Sequence, residues 1–195
     1  MREVVVLTFV SLDGVMQAPG GKGEDPSGGC DLEGWTVPYF DEVVGDEMTK
    51  QMGQPFDLLL GRKTYEIFAS YWPHHDSPIN EAKKYVVSNS AINTDWEETI
   101  QIKGDLVAEI EDLKQQDGPM LQVHGSSNLI QTLLANDLVD ELWLKVFPVT
   151  LGKGKRLFGE GTIPAAFTLT DSQVSRSGVI IASYRRDGEV KLGSF

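Results

Sequence analysis

One cysteine in 195 residues, Cys30, leaves no partner for an intramolecular disulfide, so the fold must rest on its core alone. Histidine is nearly as scarce: His74, His75 and His124 do not make the H-x-x-x-H spacing of a metal pair, and no metal site is expected. No apolar run is long enough for a bilayer. The N-terminal Val4-Val5-Val6-Leu7-Thr8-Phe9-Val10 falls far short of the ~20 residues needed, follows no basic segment and leads into Ser11-Leu12-Asp13-Gly14 instead of a cleavage pattern. It reads as a buried first strand of a cytoplasmic protein. Positive charge is also short, with 17 Lys and Arg against 29 Asp and Glu and a net charge of −12. Such a surface repels nucleic acid and anionic membranes, so neither is expected as a partner, and any anionic ligand needs a local patch. Missing too are the G-x-G-x-x-G dinucleotide fingerprint, the G-x-x-x-x-G-K-[ST] phosphate loop and the G-x-S-x-G nucleophile elbow. Hydrolysis by a serine triad is therefore disfavoured.

What remains is 41% hydrophobic and 24% charged, ordinary for one globular domain spanning residues 1–195. After the first strand, residues 17–34 are rich in Gly, Pro and acidic side chains and show neither helical nor strand period. That length of loop serves as a lid or binding loop, or is disordered. Pro38 suits a first helical turn, with Asp41 and Glu42 near the positive end of a helix running to about Met52. The pattern then predicts strand 56–60, helix 62–70, strand 84–88, strand 99–102, helix 106–116, strand 120–124, helix 127–135 and strand 140–146. Two last strands, 167–174 and 179–185, joined through Ser175-Arg176-Ser177-Gly178, form a hairpin. Strands alternating with helices need parallel crossovers, and the hairpin needs antiparallel pairing. The expected fold is three-layer α/β, with a mixed, mostly parallel sheet of about eight strands.

Two junctions have the chemistry of phosphate binding. In Leu60-Gly61-Arg62-Lys63-Thr64 a strand meets glycine, two cations and a hydroxyl at a helix start; in His124-Gly125-Ser126-Ser127-Asn128 a strand meets glycine, two hydroxyls and an amide. Glycine admits an anion close to the backbone, and a helix N-terminus offers free N–H groups and its positive dipole end. Arg62 can fork onto phosphate oxygens. Ser126 or Ser127 could instead cap its helix. A third segment, Ser88-Asn89-Ser90, follows a buried strand at the end where α/β ligands lie, or is an ordinary turn. For proton chemistry the candidates are Asp13 and Asp41, each with a bland alternative as turn residue or helix-end charge. Trp35, Tyr39, Phe40 and Trp72 could line a pocket for a flat heterocycle or pack in the core.

In order along the chain, Ser11-Leu12-Asp13-Gly14-Val15, Leu60-Gly61-Arg62-Lys63-Thr64-Tyr65-Glu66, Val87-Ser88, His124-Gly125-Ser126-Ser127 and Leu138 to Phe158, with Pro148-Val149-Thr150-Leu151-Gly152-Lys153-Gly154-Lys155-Arg156, resemble the dihydrofolate reductase superfamily. The similar branch includes the reductase domain of riboflavin biosynthesis. The resemblance implies NADPH as cofactor. It would lie on Gly61, Arg62, Lys63 and Thr64, on Ser88 with Asn89 and Ser90, and on Gly125, Ser126, Ser127 and Asn128. It implies hydride transfer to a C=N or C=O bond of a small-molecule substrate resembling a pterin, a folate or a ribosylaminopyrimidine, and a homodimer. Asp13 and Asp41 are the catalytic candidates. Counting from Trp35 and Pro38, the acidic position of true dihydrofolate reductases falls on Phe40, which puts folate in doubt as the substrate. The competing reading is an NADPH-binding module or redox sensor without turnover.

Overall fold

The computed structural model describes residues 1–194. Its strands are β1 (Val4–Ser11), β2 (Phe56–Gly61), β3 (Lys84–Val87), β4 (Thr99–Ile102), β5 (Met120–Val123), β6 (Glu141–Phe147), β7 (Phe167–Val174) and β8 (Ile180–Arg186). The helices are α1 (Glu42–Met52), α2 (Arg62–Tyr71), α3 (Leu106–Gln115) and α4 (Ser127–Ala135). All eight strands join one sheet in the order β4-β3-β2-β5-β1-β6-β8-β7. Pairs from β4 to β6 are parallel, whereas β8 runs antiparallel to β6 and β7.

Alternation along the strands sets the layers. Val4, Val6 and Val10 of β1, Leu121 and Val123 of β5 and Leu142 and Leu144 of β6 pack with Ile110 and Leu113 of α3 and Ile130 and Leu133 of α4. The other face of the sheet, including β2, looks toward α1 and α2. There Leu58 and Leu60 meet Tyr65 and Phe68, and Phe147 meets Val44. Central strands buried on both faces must be apolar almost throughout, which is why β2 reads as a continuous hydrophobic run.

Two sequence expectations change at the start of α1. Residues 37–39 form a separate 3-10 turn, and α1 begins at Glu42 with Asp41 as its N-cap, accepting from the Val44 amide at 3.2 Å. Phe40 and Asp41 are extended link residues between that turn and α1. Pro38 sits in the first turn of that 3-10 segment, where its missing N–H has no partner to lose. The aromatic cluster also divides: Trp35, Phe40, Phe9 and Phe147 make one edge-to-face set, and Trp72 belongs with Phe68 and Tyr71 on α2. No helix among the described residues is long and apolar enough to cross a membrane.

Candidate active site

The parallel order carries the carboxyl ends of β1, β2, β3 and β5 to one edge of the sheet, and the two glycine junctions meet there. Gly61 donates its N–H to the Gly125 carbonyl at 3.1 Å. A methyl group on Gly61 would overlap Ser126 Oγ, and one on Gly125, which has φ +156°, would lie 2.6 Å from Thr64 Oγ1. Both positions therefore demand glycine for the junctions to approach. The Gly125–Ser126 peptide is cis. α1 and α3 are capped by the carboxylates of Asp41 and Asp105, but α2 and α4, starting at Gly61 and Ser126, receive no side-chain cap. Ser126 is thus not spent on capping, and the first amides of two neighbouring helices are left for another acceptor.

The remaining phosphate candidates are placed differently. Arg62 pairs with Glu66 one turn along α2 at 2.8 Å; an exposed pair of this kind is worth only a few tenths of a kcal/mol, so the guanidinium is readily redirected. Lys63 is exposed, Ser127 is buried beneath the α4 start and Asn128 is exposed. Ser88 closes a local turn, its hydroxyl donating to the Ser90 carbonyl at 2.8 Å and accepting from the Ser90 amide at 3.2 Å, while Asn89 Oδ1 accepts from the Gly104 amide. Ser88, Asn89 and Ser90 stand beside the glycine junctions as a self-closed turn at the end of β3, because β2 and β3 are paired through Gly61 and Val87.

Both carboxylates singled out for proton transfer are held by hydrogen bonds. Asp13 accepts from Ser11 Oγ at 2.6 Å and from the amides of Leu151 and Gly152 at 3.0 and 2.8 Å. These bonds hold its pKa down to about 2. Asp41 accepts from the Ser177 amide at 2.9 Å as well as Val44, which holds it at about 2 also. Asp13 ties the loop after β1 to the segment after β6, and Asp41 ties α1 to the terminal hairpin. Each also acts as a structural tie through partners about 140 residues away, Leu151 and Gly152 for Asp13 and Ser177 for Asp41, which sequence alone could not supply.

The 17–34 loop is ordered by its own acidic groups. Gln17, almost fully buried, donates to the carbonyls of Asp25 and Ser27 and accepts from the Lys155 amide. Lys155 Nζ reaches Asp25 at 2.5 Å, and Lys153 reaches Asp31 at 3.1 Å, so the basic Gly152–Arg156 turn pairs with the loop. Glu33 accepts from the amides of Gly23 and Asp25. The loop then faces α2 across a cleft of about 530 Å³ lined by Glu24, Asp25, Pro26, Ser27, Lys63, Glu66, Ile67 and Ser70. Glu24, missed in the sequence, fixes one carboxylate oxygen on the amides of Gly20 and Gly21. Burial, with Asp25 and Glu33 adding repulsion, raises its pKa above the ordinary range despite those bonds.

A second missed group lies under α1. Lys145 of β6 is fully buried and donates to Gln51 Oε1, with Glu47 the nearby counter-charge; burial pushes its pKa down to about 7. Gln51 in turn donates to Glu47 at 2.8 Å. A lysine inside an apolar strand is visible in the sequence, but its partners on α1 are not.

The sheet order and the paired junctions define a reductase-type fold of the dihydrofolate reductase kind. The chain belongs to the RibD C-terminal domain family, whose pattern matches residues 2–181. It is 26% identical over 196 residues to the uncharacterized protein YyaP of Bacillus subtilis, covering 96% of each chain, and 28% identical over 167 residues to YwjB of the same organism, covering 83% and 85%. Among solved structures, a putative riboflavin biosynthesis protein from Shewanella sp. PV-4 superposes with a TM-score of 0.68 at 26% identity, over 96% of this chain and 99% of that one. Dihydrofolate reductase from Enterococcus faecalis, complexed with NADP(H) and RAB-propyl, superposes with a TM-score of 0.62 at 12% identity, over 95% and 96%, a likeness of fold.

Proposed function

We propose that this protein is an NADPH-dependent reductase of a small heterocyclic substrate carrying a C=N or C=O bond. The observation that carries the reading is the pair of uncapped helix starts packed together at Gly61 and Gly125, where any larger side chain would fill the cradle. A dinucleotide pyrophosphate suits that donor set. The Enterococcus protein of the same fold is described with NADP(H), which is consistent with such a ligand.

The residues divide the work. Backbone amides at the starts of α2 and α4, with Thr64 and Ser126, would hold the pyrophosphate. Arg62, released from Glu66, would take the adenosine-side 2′-phosphate near Ser88, Asn89 and Ser90, favouring NADPH over NADH. The cofactor would supply the hydride. Half-exposed Phe40, packed edge-on to Phe9 with ring centres 6.2 Å apart, offers an apolar wall for a flat substrate where an acidic residue would have met a pterin. Ionised Asp13 and Asp41 keep the surrounding loops in place. Glu24, a cleft carboxyl group whose pKa burial raises, would be the candidate to hold a proton if the substrate extends into that cleft.

The test is a fluorescence titration with NADPH and with NADH on the parent protein and on Arg62→Ala. NADPH should bind at least about tenfold tighter than NADH, and the variant should lose that preference, since a guanidinium–phosphate bond is worth about 1.5–3 kcal/mol. Equal affinity for the two cofactors in the parent contradicts the 2′-phosphate assignment.

A further inference from the structure

His124 follows β5, immediately before Gly125 of the cradle, and is half-buried. Its tautomer is fixed from below. Gln122 Nε2 donates to the Gln51 carbonyl at 3.0 Å, a bond that only the amide nitrogen can make. Gln122 Oε1 must then face His124 Nε2, 3.1 Å away, and a carbonyl oxygen only accepts. Nε2 therefore carries the ring's hydrogen, and Nδ1 presents a lone pair. Burial, with the Lys145 charge adding to it, holds the ring far below the ordinary histidine range, so it stays neutral at physiological pH. The Phe68 ring of α2 stands edge-on with its centre 5.9 Å from the imidazole and limits how the ring can turn. No bond to Nδ1 is found among the described residues.

We propose that His124 Nδ1 accepts a hydrogen bond from the N–H of a planar heterocycle bound at the carboxyl end of β5, making His124 a specificity determinant of the site. This rests on the reductase reading. A neutral imidazole whose one N–H is committed inward rewards a donor and offers nothing to an acceptor, so it selects amino or amide groups over carbonyls and ethers. Two sources carry that donor: the carboxamide of a nicotinamide ring, and an amino or amide group on the substrate heterocycle.

Nitrogen-15 NMR of the uniformly labelled full chain distinguishes them, His124 being assigned by comparison with His124→Asn. Without ligand, its resonances should show the Nε2–H tautomer; the Nδ1–H pattern overturns the proposal. In the first arm the protein is saturated with NADPH or with the analogue in which acetyl replaces the carboxamide. In the second, NADP+-saturated protein receives 2,4-diaminopyrimidine or 2,4-dimethylpyrimidine, which differ in N–H donors and little in shape. An Nδ1 shift with the donor-bearing member of either pair, absent with its mate, supports the proposal and names the source. An unmoved Nδ1 in both arms, while the Gly125 and Ser126 amides respond to cofactor, overturns it and leaves the reductase reading standing. Silence of those amides as well overturns both.

Affinity gives a second readout for the donor-bearing ligand. His124→Leu should weaken it about tenfold, and His124→Asn, whose carbonyl lies close to the Nδ1 position, should keep it within about threefold. Equal losses in the two variants overturn the proposal.

Discussion

Gly61 and Gly125 separate the two junctions by less than the width of a side chain, and that closeness belongs to the fold as much as to any ligand. Gly61→Ala should therefore destabilise the protein by about 1–3 kcal/mol, the usual cost of overpacking, because the new methyl runs into Ser126 Oγ. Removing that hydroxyl as well, in the Gly61→Ala/Ser126→Ala double variant, should recover part of the loss. Urea unfolding of the four members of the cycle measures the coupling, and strictly additive losses would contradict the contact. Lys145 gives a second prediction on the same scale. Its folded pKa, about 7, lies below the unfolded value near 10.5, so between those limits the unfolded chain binds more protons and stability rises with pH. Below pH 7 the full penalty of burying the charge applies. Lys145→Met keeps the volume, removes the charge and should stabilise by about 1–4 kcal/mol at pH 6, with a much smaller gain at pH 10. A gain that does not change between those two pH values would contradict the buried-charge account.

At the scale of elements, the 17–34 loop departs most from what its composition suggests. Its order comes from one nearly buried amide and several carboxylates closing on backbone N–H groups. Gln17→Ala removes the bonds to Asp25, Ser27 and Lys155 together, each worth about 1 kcal/mol. Tryptic cleavage at Lys22 should become at least about tenfold faster while the sheet's thermal transition moves little; an unchanged cleavage rate would mean that Gln17 does not hold the loop. The elements legible in the sequence were those with a dense local pattern: α4 and β7 fall on their expected residues, and most others shift by one or two at an end. The apolar run of β2 and the glycine junctions were legible for the same reason, since each is written in five or six consecutive residues. Glu24 was not, since its raised pKa depends on a loop that no period announces. His124 was equally hidden, because its tautomer depends on Gln122 and on a carbonyl of α1 some 70 residues earlier. Asp13 and Asp41 were visible but their long-range partners were not, because an acidic residue near a strand end or helix start looks the same whether it serves chemistry or closes a loop.

Across the whole molecule, parallel order is what turns scattered residues into a site. Segments from Ser11 to Ser126 arrive at one edge because β1, β2, β3 and β5 all point that way, while the antiparallel β7–β8 pair extends the opposite flank and anchors α1 through Ser177. The net charge of −12 acts on this arrangement as a field. On the proposed reading, an anionic dinucleotide approaching from solution would meet that repulsion first and reach Arg62 and the helix starts only at short range. At 10 mM salt the screening length is about 30 Å, so the molecule's whole charge is felt; at 150 mM it is about 8 Å, so mainly the local cradle acts. Raising salt over this range should therefore speed NADPH association about two- to fivefold, opposite to a basic nucleotide site, while the dissociation rate rises only modestly as the Arg62 contact weakens. Stopped-flow fluorescence separates the two rates. An association rate that falls steadily with salt would mean that the attraction at the cradle reaches further than the repulsion of the molecule around it.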